Sequence, residues 1–553
     1  MKKAVIMAVA VLCMGPVLGY AGGTQQGTAA PVSVTPPGTF PIVNEQATLS
    51  IFAPGHQVDG FDIDTNWFTR FYEEKTNVKV DFELVIGTGD QVRQRVNLKL
   101  ASGDYPDVFS RIGFSRAEQV RYGSEGLFVP LEDLVDTHTV HIRKALEEVD
   151  QLRASATAPN GHMYGLPDPV LFVHGTMPNK IWVYQPWVDS LLGGRMPATT
   201  EEFYQMLKAF SARDPNESGV ADEIPFATIG PNYVFLMNSF TWFDGGLLRV
   251  EDGTIVSVPD LDGYREGLRY IAKLYREGLY IQDFFTLDVR QIRELAESKP
   301  ARVGAVSALW PGTFSRNLGA DAVFWGYEPL MPLAGPDGTR QHPFRHLALG
   351  PGGGMFNVTS AAKSPELALR WLDWIWSFEG YHTISHGPEL DISAEVGPGW
   401  RRGRPGEEGA DGQQARIKRV PTARPEDYIN IEWGTVAIVP RYLSYEWHTG
   451  LVIDADDPWR SRDLWQATID MYEWLVDLAI PPLFMPEDTA SEIAELETAL
   501  QNAVREASAQ FIFGSRNIDS DAEWSAYIRD LNRLGLDRLV RLYQREYDIN
   551  YGR

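Results

Sequence analysis

Oxygen-bearing side chains recur at alternate positions in one short segment, Asp214-Pro-Asn-Glu-Ser-Gly-Val-Ala-Asp-Glu223. Counted from Asp214, the side chains that could offer ligand oxygens stand at positions 1, 3, 5, 9 and 10, and a glycine stands at position 6. This is the spacing of an EF-hand-type calcium loop, in which alternate residues point oxygens inward and glycine permits the sharp turn. The usual Glu at position 12 is missing, and Glu223 at position 10 would supply that carboxylate.

The predicted calcium ligands are five side chains and one backbone carbonyl. They are Asp214, Asn216, Ser218, Asp222 and Glu223, with the carbonyl oxygen of Val220. The alternative is a solvated turn rich in Asp, Asn and Gly that binds no ion. The spacing alone leaves both interpretations open.

Aromatic residues form the second chemical signal, since the chain contains 16 Trp and 22 Tyr. Sugar rings present apolar C–H faces that stack on flat aromatic rings, so a saccharide cleft needs Trp and Tyr among polar groups. Several aromatic residues stand beside turn residues rather than on a helical stripe. These candidate ligand-binding residues are Trp67, Trp242, Trp310, Trp400, Trp433, Tyr445 and Trp447. For each of them core packing is the alternative.

Motifs for catalysis are missing from the sequence. There is no Gly-x-Ser-x-Gly, no His-Glu-x-x-His, no phosphate-binding loop and no cysteine pair. His382 and His386 stand four residues apart and could share a metal, but no third ligand is in view. Carboxylates are abundant, so counting does not exclude a glycosidase pair.

The elements that must position these residues alternate between strand and helix patterns, which favours α/β layers. Val78–Phe82 reads as a strand, and Asp90–Ala101 reads as a helix with one apolar face. Thr199 with Glu202 predicts a helix start, because this spacing forms a capping box. Helices are also predicted at Tyr264–Leu279 and from Pro365.

The first residues have the composition of an export signal. Lys2 and Lys3 precede an apolar run that ends near Gly19-Tyr-Ala21, which predicts a signal peptide over residues 1–21. Residues 22–46 are polar and predicted to be a disordered tail. The single cysteine, Cys13, lies within the apolar run without small residues before it, so we do not expect a lipid anchor there. The predicted location is therefore periplasmic or extracellular.

The charge balance argues against nucleic-acid partners. The formal net charge is −24, and loss of Lys2 and Lys3 with the signal peptide would make it −26. Such a surface repels nucleic acid and anionic lipid. Residues 401–425 are rich in Gly and Arg, but they lack aromatic residues for base stacking, and we predict a flexible loop.

Ordered motifs along the chain resemble a known family. They are Asn66-Trp67, Phe71–Val80, Leu98–Phe109, Tyr122–Leu131, Asn160–Pro167, the stretch from Asn179 to Phe226, Phe511–Gly514 and Leu531–Leu539. In this order they resemble the family 1 extracellular solute-binding proteins of ABC importers, most closely the branch that binds alginate oligosaccharides. The resemblance runs from about Leu49 to Tyr551.

The resemblance implies a type II periplasmic-binding fold, with two α/β lobes joined by a hinge and a ligand cleft between them. It places lobe 1 at residues 47–171 and lobe 2 at 172–342, with a return to lobe 1 at 343–396 and completion of lobe 2 at 397–553. It puts Trp310 in the lobe-2 wall of the cleft and favours structural calcium at the Asp214 loop.

The implied function is a monomeric, non-enzymatic binding protein that delivers an oligosaccharide to an ABC permease. Two alternatives stay open. One is a secreted glycan-degrading enzyme with paired carboxylates. The other is a peptide- or lipid-precursor-binding protein on the same scaffold, which would need an apolar or strand-pairing groove.

Overall fold

The computed structural model describes most of the chain after residue 31. The described ranges are 32–55, 60–87, 89–149, 152–158, 160–285, 287–315, 317, 321–345, 354–420, 422, 430–434, 436–452, 461–483 and 485–552. The predicted signal peptide and Cys13 lie outside these ranges.

Short strands are distributed along most of the chain. The strands are β1 (Ala47–Gly55), β2 (Val78–Ile86), β3 (Val108–Phe114), β4 (Lys180–Tyr184), β5 (Ala227–Thr228), β6 (Leu248–Glu251), β7 (Thr254–Ser257), β8 (Ala305–Ala308), β9 (Tyr327–Leu330), β10 (His342–Pro343), β11 (Gly354–Val358), β12 (Gly399–Arg402), β13 (Ile417–Val420) and β14 (Leu475–Val476).

Helices separate the strands and dominate the C-terminal end. The helices are α1 (Trp67–Thr76), α2 (Gly89–Ser102), α3 (Arg116–Ser124), α4 (Glu132–His138), α5 (His141–Glu148), α6 (Leu152–Ala156), α7 (Gln185–Leu192), α8 (Thr200–Ala212), α9 (Val234–Met237), α10 (Asp262–Arg276), α11 (Val289–Ala296), α12 (Pro365–Asp373), α13 (Phe378–His386), α14 (Tyr445–Thr449), α15 (Ser461–Asp470), α16 (Glu487–Phe513), α17 (Asp521–Leu534) and α18 (Leu536–Tyr551). None of those that the structure describes is long and apolar enough to cross a bilayer.

Two four-stranded sheets define two lobes. The lobe-1 sheet has the order β11-β3-β1-β2, with β1 parallel to β2 and β3 and with β11 antiparallel to β3. The lobe-2 sheet has the order β5-β8-β4-β9, with β4 antiparallel to both neighbours. Each sheet is covered by helices over its own apolar core. The predicted α/β class is confirmed.

Local signals in the sequence placed several helices correctly. The hydroxyl of Thr199 accepts a hydrogen bond from the Glu202 amide at 3.1 Å, and the Glu202 carboxylate accepts one from the Ala198 amide at 2.8 Å. The apolar face of α8 buries Phe203 and Phe210, and α10 buries Leu268 and Ile271. These helices begin and end within a few residues of the predicted positions because caps and periodicity are local properties.

The predicted disordered tail is partly wrong. Residues 32–46 pack on lobe 1, where Ile42 and Val43 are buried in the core. The Arg370 guanidinium donates to the carbonyls of Pro36 and Thr39 at 3.0 and 2.9 Å. Burial of two aliphatic side chains and these hydrogen bonds offset the conformational entropy that the segment loses when it becomes ordered. The polar composition alone predicted disorder because it does not show these contacts.

The segment 397–553 does not lie wholly in lobe 2 as predicted. Trp433, Val436, Ile438, Val439 and Tyr442 pack in the lobe-1 core. The Phe68 and Trp433 rings lie 4.8 Å apart, and the Trp433 indole donates to the Thr69 hydroxyl at 3.1 Å. The chain therefore stays with lobe 1 beyond Tyr442, at least as far as Trp447, which also packs against the lobe-1 core. The reason is that an apolar stretch joins whichever core it can reach.

Residues 401–425 were predicted to be a flexible loop, and the described part is structured. β12 and β13 pair antiparallel, and Arg401 is fully buried. The Arg401 guanidinium forms a bidentate ion pair with Glu407 at 2.6 and 2.7 Å, so its charge is compensated. The amino-acid composition did not predict this ordered structure, because a low apolar content does not show which charged residues form ion pairs.

One buried carboxylate provides a stability prediction for lobe 1. Asp373, 1% exposed, accepts hydrogen bonds from the amides of Val140, His141 and Ile142 at 2.8–3.1 Å, and no side chain within α5 caps that helix. We expect Asp373→Ala to lower the free energy of unfolding by about 2–3 kcal/mol, because it leaves amides unsatisfied at a helix start. Chemical denaturation measures this, and Glu366→Ala on the same helix is the control. Equal stability of the two variants would contradict the prediction.

Candidate interlobe binding site

Several chain segments run between the lobes close together. Val170 forms a parallel bridge with Leu443, and the Leu171 amide donates to the Leu443 carbonyl at 2.8 Å. β10 and β14 also pair in parallel, His342 with Leu475. Paired connecting segments of this kind form a hinge, and the space between the two lobes is the natural ligand site.

Trp310 lies at the hinge end of the lobe-2 sheet. Lys180 at the start of β4 is paired with Ala308 at the end of β8, and Trp310 follows two residues later. Its indole is partly exposed and folds over the next turn, where a Cβ added at Gly312 would lie 2.4 Å from the ring. Glycine is therefore needed at position 312 for this close approach. The part of the ring that is buried packs against the apolar cluster of lobe 2 that contains Trp182 and Phe314.

Helix α14 supplies two further aromatic side chains directly after the crossing at Leu443. Tyr445 is 38% exposed. Trp447 is half-buried, with its ring 5.1 Å from Tyr442 and 5.4 Å from Phe378. The Ser444 hydroxyl caps this short helix by accepting from the Trp447 amide at 3.1 Å. The cap fixes the start of the helix, and the ring contacts hold Trp447 in place.

An ion-pair network that the sequence analysis missed ties the lobe-1 side together. The Arg111 guanidinium contacts the Asp168 carboxylate, and the Arg441 amide donates to the same carboxylate at 2.7 Å. The Arg441 side chain donates to the Ser385 hydroxyl at 3.1 Å. Three segments far apart in sequence thus meet at one carboxylate. The only feature of the sequence that could have indicated this network is the position of Asp168 between two prolines.

A buried basic cluster lies behind Trp310. Lys180 has no exposed surface, and its ammonium donates to the carbonyls of His174, at 3.1 Å, and Met177. Burial lowers the pKa of Lys180 to about 7 and the pKa of both His342 and His448 to about 4. These imidazoles are therefore neutral at physiological pH, which limits the positive charge near the hinge.

The structure separates the other predicted ligand-binding residues. Trp242, Trp400 and Trp433 are at most 2% exposed, so core packing, the alternative left open by the sequence, describes them. The Trp242 indole donates to the Val476 carbonyl at 2.9 Å and so braces β14. Trp67 is half-buried and stacks on Phe71, with ring centroids 5.0 Å apart. The sequence analysis chose these tryptophans because they stand beside turn residues, and this criterion did not separate the buried indoles from Trp310. Burial is decided by contacts with distant parts of the chain.

His382 and His386 do share one face of α13, with ring centroids 5.6 Å apart. Burial, together with the nearby charges of Arg419 and Arg441, lowers the pKa of His386 to about 3. A cation there would face two guanidinium groups. Among the residues described, no third metal ligand joins the pair.

The Asp214 loop folds so that its oxygens face one another. The Ser218 hydroxyl lies 3.1 Å from the Asp222 carboxylate and 3.0 Å from the Val220 carbonyl, and its single proton is shared between these two acceptors. The Asp214 carboxylate accepts from the amides of Ser218 and Gly219, each at 3.0 Å. Gly219 has φ of +75°, which a glycine adopts without strain. The predicted turn at position 6 is therefore present.

These residues fit a calcium ion in number and type of oxygen. Oε1 of Glu223 is buried without a hydrogen-bond partner. Burial, with the nearby charges of Asp214 and Asp222, raises the pKa of Glu223, so a bound cation would relieve the repulsion. In the structure Asp222 instead contacts Arg302 at 3.0 Å, and a ready-made cluster of three acidic, His or Cys ligands is absent from the described ranges. Ion binding would therefore compete with the loop's own hydrogen bonds.

Two α/β lobes joined by several crossings, with partly exposed aromatic side chains at the hinge, define a two-lobed binding protein. The sequence profile of the bacterial extracellular solute-binding proteins matches residues 57–379. The chain belongs to this family, as its motifs indicated.

Known proteins resemble this chain over most of its length. The fructooligosaccharide ABC transporter substrate-binding protein FusA of Streptococcus pneumoniae is 26% identical over 536 residues, which cover 92% of this chain and 91% of FusA. The structure of FusA with kestose matches with a TM-score of 0.72 and 23% identity, over 91% of this chain and 99% of that one. The same values hold for a FusA EF-hand mutant with fructo-nystose. The alginate-binding protein AlgQ2 without calcium ion matches with a TM-score of 0.69 and 20% identity, over 92% and 99%.

Proposed function

We propose that the protein is the substrate-binding component of an ABC importer and captures an oligosaccharide between its lobes for a membrane permease. The carrying observation is that Trp310, Tyr445 and Trp447 keep exposed or half-exposed ring surface on the elements that flank the hinge. Rings in such positions stack on sugar faces. The fructooligosaccharide named for FusA and the alginate named for AlgQ2 are both carbohydrates, which supports a carbohydrate ligand.

In this proposal the protein performs no covalent chemistry. The lobes close around the sugar, the closed form is recognised by the permease, and the solute is released there. Arg111, Asp168 and Arg441 are held rigidly at the lobe-1 side of the hinge and can donate to or accept from sugar hydroxyls. The protein would act as an exported monomer.

A thermal-shift screen tests the ligand class. The purified protein is heated with kestose and with alginate, pectin, xylan and glucan oligosaccharides, and product release is followed by chromatography. A ligand that binds only the folded state raises the melting temperature. We expect a rise with one sugar class and no cleavage of it. Cleavage would favour the glycan-degrading enzyme, and no rise with any sugar would favour a peptide or lipid precursor.

Trp310→Ala should weaken binding of the sugar found in that screen by about tenfold to a hundredfold, because one stacking platform is lost, roughly 1–3 kcal/mol. Isothermal titration measures the affinity. Trp325→Ala is the matched control, since Trp325 is 37% exposed and precedes β9 at the opposite end of the lobe-2 sheet. Equal affinities of the two variants would remove Trp310 from the site.

We also propose a structural calcium ion at the Asp214 loop. Its ligands would be Asp214, Asn216, Ser218, the Val220 carbonyl, Asp222 and Glu223. The buried, unpartnered Oε1 of Glu223 supports this. When bound, the ion would supply the positive charge that this group of carboxylates lacks and would fix the loop.

A further inference from the structure

A second part of the interlobe boundary lies away from the aromatic residues. A cavity of about 850 Å³ opens between α3 of lobe 1 and α16 of lobe 2, which lie against each other. Its lobe-1 wall is Gly113, Ser115 and Arg116, and its lobe-2 wall is mostly aliphatic. Among the described residues that line the cavity, Tyr543 is the single aromatic one.

Arg116 is the only basic side chain among the described residues that line the cavity. Within the described chain its guanidinium makes no hydrogen bond or ion pair. Burial lowers the pKa of Arg116, and the groups that oppose this shift are the hydroxyls of Tyr543 and Tyr551 on α18. A half-buried guanidinium without an acidic partner is unusual, because desolvation of its charge is not compensated.

A carboxylate in the same situation lines the opposite wall. Glu497 lies on α16, and its Oε1 accepts from the Tyr543 hydroxyl at 2.6 Å. Burial raises the pKa of Glu497, and no cation pairs with it in the structure as described. Its second oxygen has no hydrogen bond to Tyr543 and is free for another donor.

We propose that Arg116 and Glu497 form a latch across the two lobes. When α3 and α16, which are already in contact, shift against each other on lobe closure, the Arg116 guanidinium reaches one oxygen of the Glu497 carboxylate while the Tyr543 hydroxyl holds the other. Two desolvated groups of opposite charge then compensate each other, which favours the closed form over the open form. This deepens the proposed function, since it rests on capture by lobe closure, and it makes both residues positioning residues for the solute.

The test measures lobe closure directly. In a chain carrying Cys13→Ser, labels are attached at Leu98→Cys on α2 and Ser211→Cys on α8, both on exposed positions of different lobes. Single-molecule energy transfer then gives the closed fraction, first without sugar and then with kestose. We expect Arg116→Gln and Glu497→Gln each to lower the closed fraction about fivefold, as for a partly buried ion pair of about 1 kcal/mol.

Two further variants make the result specific. The exchange Arg116→Glu with Glu497→Arg should restore closure, because it recreates the pair with reversed charges. Arg93→Gln breaks the Arg93–Glu118 ion pair of 3.1 Å inside lobe 1 and should leave the closed fraction unchanged. Circular dichroism confirms that each variant is folded.

Several outcomes would overturn the latch. Unchanged closure in both single variants would do so, as would failure of the exchange to restore it. Weaker kestose binding at unchanged closure would show that Arg116 contacts the solute instead. If kestose does not bind the parent chain, only the proposed cargo is affected, since the sugar-free closed fractions still decide the latch.

Discussion

Removing calcium should lower the free energy of unfolding of this protein by about 2.7 kcal/mol. This value applies when the starting concentration of free calcium is about a hundred times its dissociation constant. The reason is that an ion held by the Asp214 loop binds the folded chain and not the unfolded chain. Differential scanning calorimetry in calcium and then in chelator measures the change. A melting temperature that is the same in both conditions would leave the loop a plain turn.

Variants of the loop identify the ligands. Asp214→Asn and Glu223→Gln should abolish most of the calcium response, because each removes a charged oxygen from the predicted set. Glu217→Gln is the matched control. Glu217 carries the same charge in the same loop, but it stands at position 4 and is exposed. Its variant should keep the full response, and loss of the response there would show a nonspecific effect of charge.

Raising the pH from 7 to 9 should stabilise the folded chain by about 2 kcal/mol through Lys180 alone. The pKa of this buried lysine is about 7, against 10.5 for the free side chain. Between these values the unfolded state binds one proton more than the folded state. Stability therefore rises with pH across this window, and it falls as the pH drops towards 7, where folding must bury a charge.

Urea denaturation of the parent and of Lys180→Met at several pH values isolates this contribution. The variant keeps the length of the side chain and cannot titrate, so the difference between the two proteins should change by about 2 kcal/mol over the window. Lys208→Met on the exposed side of α8 is the control and should follow the parent. A difference that stays constant with pH would mean that Lys180 titrates at its ordinary pKa.

Local chemistry in the sequence determined a substantial part of this protein. The Thr199 and Glu202 cap and the apolar face of α10 depend on neighbouring residues, and both are present. The oxygen spacing from Asp214 also produced a loop whose oxygens converge. The ordered family motifs gave the two-lobed class, because each motif marks a local strand–helix unit of that fold.

The tertiary structure alone decided which aromatic residues are available and which charges are compensated. Trp310 and Trp433 both stand beside turns, yet Trp433 is buried against Phe68 from a distant part of the chain. Arg116 and Glu497 are unremarkable in sequence, and they become significant only because two lobes place them on one cavity. The physical reason is the same in each case. Burial and desolvation depend on contacts between residues hundreds of positions apart, which no local pattern records.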